Sequence, residues 1–329
     1  MPASTTTKKA PAKRAAKAPV QPAEGAYLDS LIPDEAVGKE YVSRYIDGVQ
    51  DMVVLSNAQQ RGKHVITSGP TGAGKTMWVR AYCAQTRQPF VNVTGDGSMQ
   101  AEDLFGKPGI DIETNGLRQI NGPVLEVVMH GGVLNVDEVN FMRGKVTAAL
   151  HGLFDGRRVL TLLTHPFKYF DPATNRYYVK AEDAPADARL APVTGPAYIP
   201  AHPNLLVVAS YNPDYADTAP INEAFLNRFA RKIQWGYDTA VEAQLVASPN
   251  LLALATKLRD AKDGGQIRSD TPTNLLMEFE AMAVDDDLTF SFARSMFLSH
   301  YAADEQPTIS TLFDLHKAEL MEDYGWEAA

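Results

Sequence analysis

The chain has 329 residues, 45% of them hydrophobic, and a formal net charge of −9. That much apolar material supports one large domain or two ordinary ones and excludes a chain disordered throughout. The negative balance argues against a protein that mainly coats nucleic acid. No run of about 18 uncharged apolar residues occurs, so no membrane-spanning helix is expected. The single cysteine, Cys83, has no partner for an internal disulfide, which fits a reducing cytoplasm.

In chain order, the first 23 residues carry Lys8, Lys9, Lys13, Arg14 and Lys17 and no acid. Residues 1–26 therefore read as a disordered basic tail: either simply solvated, or a tether to an acidic partner or nucleic acid. Apolar residues at intervals of three and four predict one helix over Val37–Ala58. Lys63–Ser68 reads as a strand running into Gly69, followed by a helix over Lys75–Thr86. Phe90–Val93, Gly131–Val136, Leu205–Ser210 and Arg231–Trp235 are four further short apolar strands, with helical patterns between them. Such alternation implies a parallel sheet covered on both faces. Two stretches interrupt it: Asp111–Asn121, whose Asn-Gly pair signals a hairpin, and the long Phe167–Pro203, rich in Pro, Asp and Tyr. Both are expected to project from the core as a working surface. From residue 237 onward the pattern is helical: Asp238–Ala247, Asn250–Ala261, Thr273–Val284, Leu288–Tyr301 and Ile309–Met321.

Gly69-Pro70-Thr71-Gly72-Ala73-Gly74-Lys75-Thr76 matches G-x-x-x-x-G-K-[ST] in full, between a strand and a helix. Glycines let the backbone wrap phosphates with its N–H groups turned inward, and the next helix points its N-terminus at the same anion. Lys75 is expected on the β- and γ-phosphates of ATP and Thr76 on Mg2+. Asp137 and Glu138 follow an apolar strand at its C-terminal edge, where ligands of open α/β sheets bind. Asp137 is read as a magnesium ligand and Glu138 as the general base for water. Asn212, in Ser210-Tyr211-Asn212-Pro213, is read as orienting that water or contacting the γ-phosphate. Arg228 is read as a finger that stabilises charge on the transferred phosphoryl group. Asn92 is either a gate on Glu138 or a satisfied buried amide. The histidines lack metal-ligand spacing.

These elements, in this order, resemble the AAA+ ATPases, and within them the MoxR-like group, over about Val37–Trp235. The carriers are Asp137-Glu138-Val139-Asn140 followed by a helix over Lys145–Val159, Ser210–Pro213 followed by Asn222–Phe229, and Gly95–Gly106. Gas-vesicle, cobaltochelatase small-subunit and Rubisco or nitric-oxide-reductase activator ATPases are similar branches. The resemblance implies an α/β P-loop NTPase fold: a parallel five-stranded sheet flanked by helices over 27–236, with inserts at 111–121 and 167–203, then a smaller all-helical lid over 237–329. It implies ATP and Mg2+ as ligands and a homo-oligomeric ring, a hexamer, acting on a partner protein. A nucleic-acid motor or loader is the alternative, and a nucleotide-gated scaffold without catalysis a third reading. Two departures stand out. Asn227 replaces the Asp usual before the finger arginine, and Thr273 replaces the arginine that opens the lid helix, leaving Arg268 or Arg294 to substitute for it or the contact missing.

Overall fold

The computed structural model describes residues 26–110, 117–162, 167–171, 176–178, 189–192, 197–214, 221, 223–285 and 288–326. The basic residues Lys8–Lys17, the Asn115-Gly116 turn and Asn222 lie outside the described residues. At the centre are five parallel strands: β1 (Val65–Ser68), β2 (Phe90–Thr94), β3 (Gly132–Asp137), β4 (Leu205–Tyr211) and β5 (Arg231–Gln234). Their order is β5-β1-β4-β3-β2. β1 therefore lies beside β4, and β4 beside β3, although long segments of chain separate them. Register is set by the period-two pattern. Leu205, Val207 and Ala209 face one core, with Val127 and Leu150. Leu206 and Val208 face the other, with Leu55, Trp78 and Val79. Helices cover both faces: α1 (Asp51–Gln60) and α2 (Lys75–Thr86) on one, α3 (Pro123–His130) and α4 (Gly144–Phe154) on the other.

The single helix expected over Val37–Ala58 is not formed. A helix spans Glu35–Glu40, a two-stranded hairpin pairs Tyr45–Ile46 with Val49–Gln50, and α1 starts only at Asp51. The break is Asp47-Gly48, both at positive φ (48° and 80°), the backbone a two-residue hairpin turn requires. Apolar spacing alone passed over this Asp-Gly signal.

Both interruptions contain paired strands among the described residues: the first is a hairpin, as expected, and the second is more than a loop. Gly106–Ile110 pairs with Leu117–Asn121 in an antiparallel hairpin. Val159–Leu162 pairs with Ala197–Pro200, and between them Arg176–Tyr178, Phe167–Asp171 and Arg189–Pro192 form a three-stranded antiparallel sheet. The second stretch thus begins at Val159, inside the segment read as one helix from Lys145; α4 ends at Phe154, before Gly156.

The C-terminal region is helical: α5 (Thr239–Leu245), α6 (Pro249–Asp263), α7 (Thr273–Val284), α8 (Phe290–Ser299), α9 (Gln306–Leu315) and α10 (Lys317–Asp323). It has its own core, in which Phe279 meets Phe297 and Phe313 edge to face. Caps set its boundaries. The Ser248 hydroxyl accepts from Leu251 N–H and Pro249 occupies the first turn of α6; the Thr289 hydroxyl accepts from Phe292 N–H, so α8 starts after Leu288. The helix expected over Ile309–Met321 is divided at His316. No helix among the described residues is long and apolar enough to cross a membrane.

One core contact titrates. His64, buried just before β1, accepts from Val207 N–H at Nδ1 (3.1 Å) and lies 3.1 Å from the Leu153 carbonyl at Nε2. These partners require the neutral ring, with its proton on Nε2. Burial first, then the charge of Arg158, pushes its pKa down to about 4. The unfolded chain takes up a second ring proton near the ordinary histidine value, and the folded chain, whose Nδ1 accepts from Val207, does not until about pH 4. The stabilisation is complete above about pH 6.5 and falls as pH drops, by about 3 kcal/mol once pH is below about 4. Urea unfolding at about pH 7.5 and about pH 5 should show roughly 2 kcal/mol of this difference, reduced in His64→Gln. An equal pH difference in the variant would remove His64 as its source.

Candidate active site

The segment Gly69–Gly74 joins β1 to α2, and its Thr71 and Ala73 carbonyls are engaged by side chains that do not line the cavity it walls. Tyr237 Oη donates to the Thr71 carbonyl at 2.9 Å. Trp235 Nε1 and Arg44 Nη2 donate to the Ala73 carbonyl at 2.7 and 3.1 Å. A trans peptide with its carbonyl turned outward turns its N–H inward, so these contacts aim the amides of Gly72 and Gly74 at the cavity. The buttress is itself anchored: Trp235 stacks on Trp78 at 4.6 Å, and the Arg44 guanidinium lies 4.3 Å over the Trp235 ring. Gly72 has φ +68°, and a Cβ there would meet Pro272 and Asn274. Only glycine suits that crest.

Lys75 opens α2, and its Nζ donates to the Gly69 and Pro70 carbonyls at 2.8 and 2.7 Å. Burial lowers its pKa, against the opposing pull of Asp137, Glu138 and Asp270. A desolvated cation in this position favours an arriving anion. Beside it, Asp137 ends β3 and is 8% exposed. Thr76 Oγ1 donates to its Oδ2 at 2.8 Å and Ser210 Oγ to its Oδ1 at 2.6 Å. Carboxylate and hydroxyl oxygens are the hard donors a magnesium ion takes, so this donor set fits one.

Glu138 follows at φ +53°, in the left-handed region that a non-glycine residue enters at a cost of about 1 kcal/mol or more. The turn is braced on both sides: Gly95 N–H donates to the Asp137 carbonyl at 2.7 Å and Phe141 N–H to the Glu138 carbonyl at 3.0 Å. A Cβ on Gly95 would strike the Glu138 carbonyl. This kink ends the strand and brings the Glu138 side chain to the cavity wall.

Asn212 sits just past β4, 4% exposed. Its Nδ2 donates to Thr71 Oγ1 at 3.3 Å, and its Oδ1 accepts from Asp214 N–H at 3.0 Å. Lys75, Thr76, Asp137, Glu138 and Asn212 thus line one cavity of about 440 Å3 with Thr71, Gly72 and Gly74. Arg228 does not line it. Lying in the turn after the short helix Glu223–Leu226, it donates to the Ala224 carbonyl of that helix and is near His151 and Asp155. Asn227, in the position next to it, accepts from Lys232 Nζ at 3.0 Å. Asn92 accepts from Asn135 Nδ2 at 2.7 Å. Arg268 pairs with Asp304 and Glu305, and Arg294 with Asp314, so neither contributes to the cavity.

Sequence reasoning gave no role to Ser210, Arg44, Trp235, Tyr237 or Asn274. Ser210 was legible as part of the Ser-Tyr-Asn-Pro element. The others act across the fold and carry no local signal. A second cavity of about 250 Å3 adjoins the first; Tyr41, Val42, Val241, Leu245 and Met277 give it an apolar lining. The two share Gly72, Gly74, Met77 and Asn274.

The family model of the AAA domain, dynein-related subfamily, matches residues 64–229. An uncharacterized protein of Staphylococcus saprophyticus is 30% identical over 186 residues, covering 55% of this chain and 59% of the relative. A second, from Staphylococcus haemolyticus, is 31% identical over 170 residues, covering 51% and 53%. The chain therefore spans less than two thirds of the length of these curated relatives. Among solved structures, NtrX from Brucella abortus in complex with ADP is similar with a TM-score of 0.36 at 18% identity, over 70% of this chain and 44% of that one. The family match runs from His64, before β1, to Phe229, past Arg228, and so takes in the P-loop, Asp137-Glu138 and Asn212. By this match over half its length, the chain belongs to the AAA ATPases, with an AAA domain of the dynein-related subfamily.

Proposed function

We propose that the chain is a MoxR-like ATPase: it binds ATP with magnesium, hydrolyses it, and uses the cycle to remodel a partner protein as a homo-oligomeric ring of six copies. The supporting observation is the convergence of Lys75, Thr76, Asp137, Glu138 and Asn212 on one cavity beneath a glycine-rich turn. In this reading the triphosphate lies along Gly69–Thr76 and the base enters the apolar cavity between Val42 and Met277. Thr76 and Asp137 hold the magnesium ion, which neutralises phosphate charge when bound. Lys75 exchanges its two carbonyl partners for phosphate oxygens. Glu138 takes the proton of the attacking water, and Asn212, tethered to Thr71, orients that water.

Arg228 supports the ring. A finger must touch the transferred phosphoryl group, and Arg228 does not line its own chain's cavity. In our reading it completes the site of a neighbouring copy. Arg228→Ala and Glu138→Gln chains, each inactive alone, should recover part of the turnover when mixed, because some junctions then pair an intact Glu138 with an intact Arg228. Wild-type turnover per chain should also rise with protein concentration. Full activity of a monomer at high dilution, or no recovery on mixing, would refute the ring.

A further inference from the structure

The helical C-terminal region contains six basic residues: Lys257, Arg259, Lys262, Arg268, Arg294 and Lys317. None lines either cavity. The inner one, Arg259, is fully engaged: it donates to both Glu242 oxygens at 2.7 Å and to the Thr271 carbonyl, and stacks 3.7 Å over Tyr237. Thr273 donates its hydroxyl to the same Glu242 at 2.6 Å. Lys262 is held by Asp214 and Asp270. What this region places at the phosphate-side cavity is a neutral amide. Asn274, in the first turn of α7, lines both the phosphate-side and the apolar cavity. Its Oδ1 lies 2.6 Å from the point a Cβ on Gly72 would occupy, so the amide rests on the crest of the P-loop. It is exposed to solvent.

We infer that Asn274 is the polar contact the helical C-terminal region makes with the nucleotide at the phosphate-side cavity, and that it recognises the part ATP and ADP share. The inference rests on the nucleotide-site reading above. Residues common to both cavities mark where the base half of a nucleotide meets its phosphates. An amide there donates to a ribose hydroxyl or an inner phosphate oxygen. A cation would favour ATP over ADP through the extra γ-phosphate charge; an uncharged amide has no such term. The Asn274 contact therefore favours neither nucleotide over the other.

The test is a fluorescence titration of the full chain with labelled ADP and a labelled non-hydrolysable ATP analogue, each with magnesium. Asn274→Ala should weaken both by the same factor, about fivefold to a hundredfold for one lost hydrogen bond to a ribose hydroxyl or a phosphate oxygen. Asn274→Asp, of the same shape but with a negative charge, should weaken both further. Loss confined to the ATP analogue would overturn the inference by making Asn274 a γ-phosphate contact. A change below about twofold for both would overturn it by removing the contact altogether. Binding of neither ligand by the unsubstituted chain would instead overturn the nucleotide-site reading, and the inference with it.

Discussion

Lys75→Ala should weaken nucleotide binding by at least about a hundredfold, as expected when two charge-assisted hydrogen bonds of about 1.5–3 kcal/mol each are lost. The wild-type ammonium is already desolvated and held at 2.7–2.8 Å by two P-loop carbonyls. It is thus positioned before any ligand arrives, and little further ordering is needed to engage phosphate oxygens. The substitution also frees the Gly69 and Pro70 carbonyls, so a thermal unfolding scan should accompany the titration. Calorimetry with magnesium and ATP checks the prediction. Unchanged affinity in a folded variant would remove the P-loop lysine from the site.

Glu138→Gln should leave binding of ATP and magnesium within about threefold of wild type and slow turnover by at least about a hundredfold. Glutamine has the shape of glutamate and faces the same left-handed backbone, so the braces from Gly95 and Phe141 are unaffected. What is lost is a carboxylate able to take a proton from water. Asp137, which holds hydroxyls on both oxygens, is poorly placed to replace it. Single-turnover measurement separates the two effects. Near-normal turnover in the variant would make Glu138 no more than the residue that ends β3.

The glycines, Lys75 and Thr76 were legible because phosphate binding by backbone amides demands a fixed local spacing. Asp137 and Glu138 were legible because an apolar strand ending in acids delivers them to the edge where the sheet opens. The Val37–Ala58 segment was misread because apolar residues at three- and four-residue intervals also arise when a short helix, a hairpin and a second helix follow one another. There the two dihedrals at Asp47-Gly48 decide the outcome, and hydrophobic spacing does not report them. The Phe167–Pro203 interruption was read as a loop because its strands pair with each other across separations that local spacing does not report.

The sequence by itself determined the chemistry that is local in the chain: the phosphate-binding turn, the acidic strand end, the alternation of strands and helices, and a helical C-terminal region. Tertiary structure decided what depends on residues distant in sequence. It set the order β5-β1-β4-β3-β2, which brings Ser210 to Asp137 across 73 positions. It turned the Thr71 and Ala73 carbonyls of the P-loop outward through Arg44, Trp235 and Tyr237. It placed Arg228 away from its own cavity and Asn274 on the P-loop crest. The physical reason is common to all of these. Local spacing constrains a few dihedrals and one face of an element, whereas a side chain's partner across the fold is selected by packing of whole elements, which no short window of residues encodes.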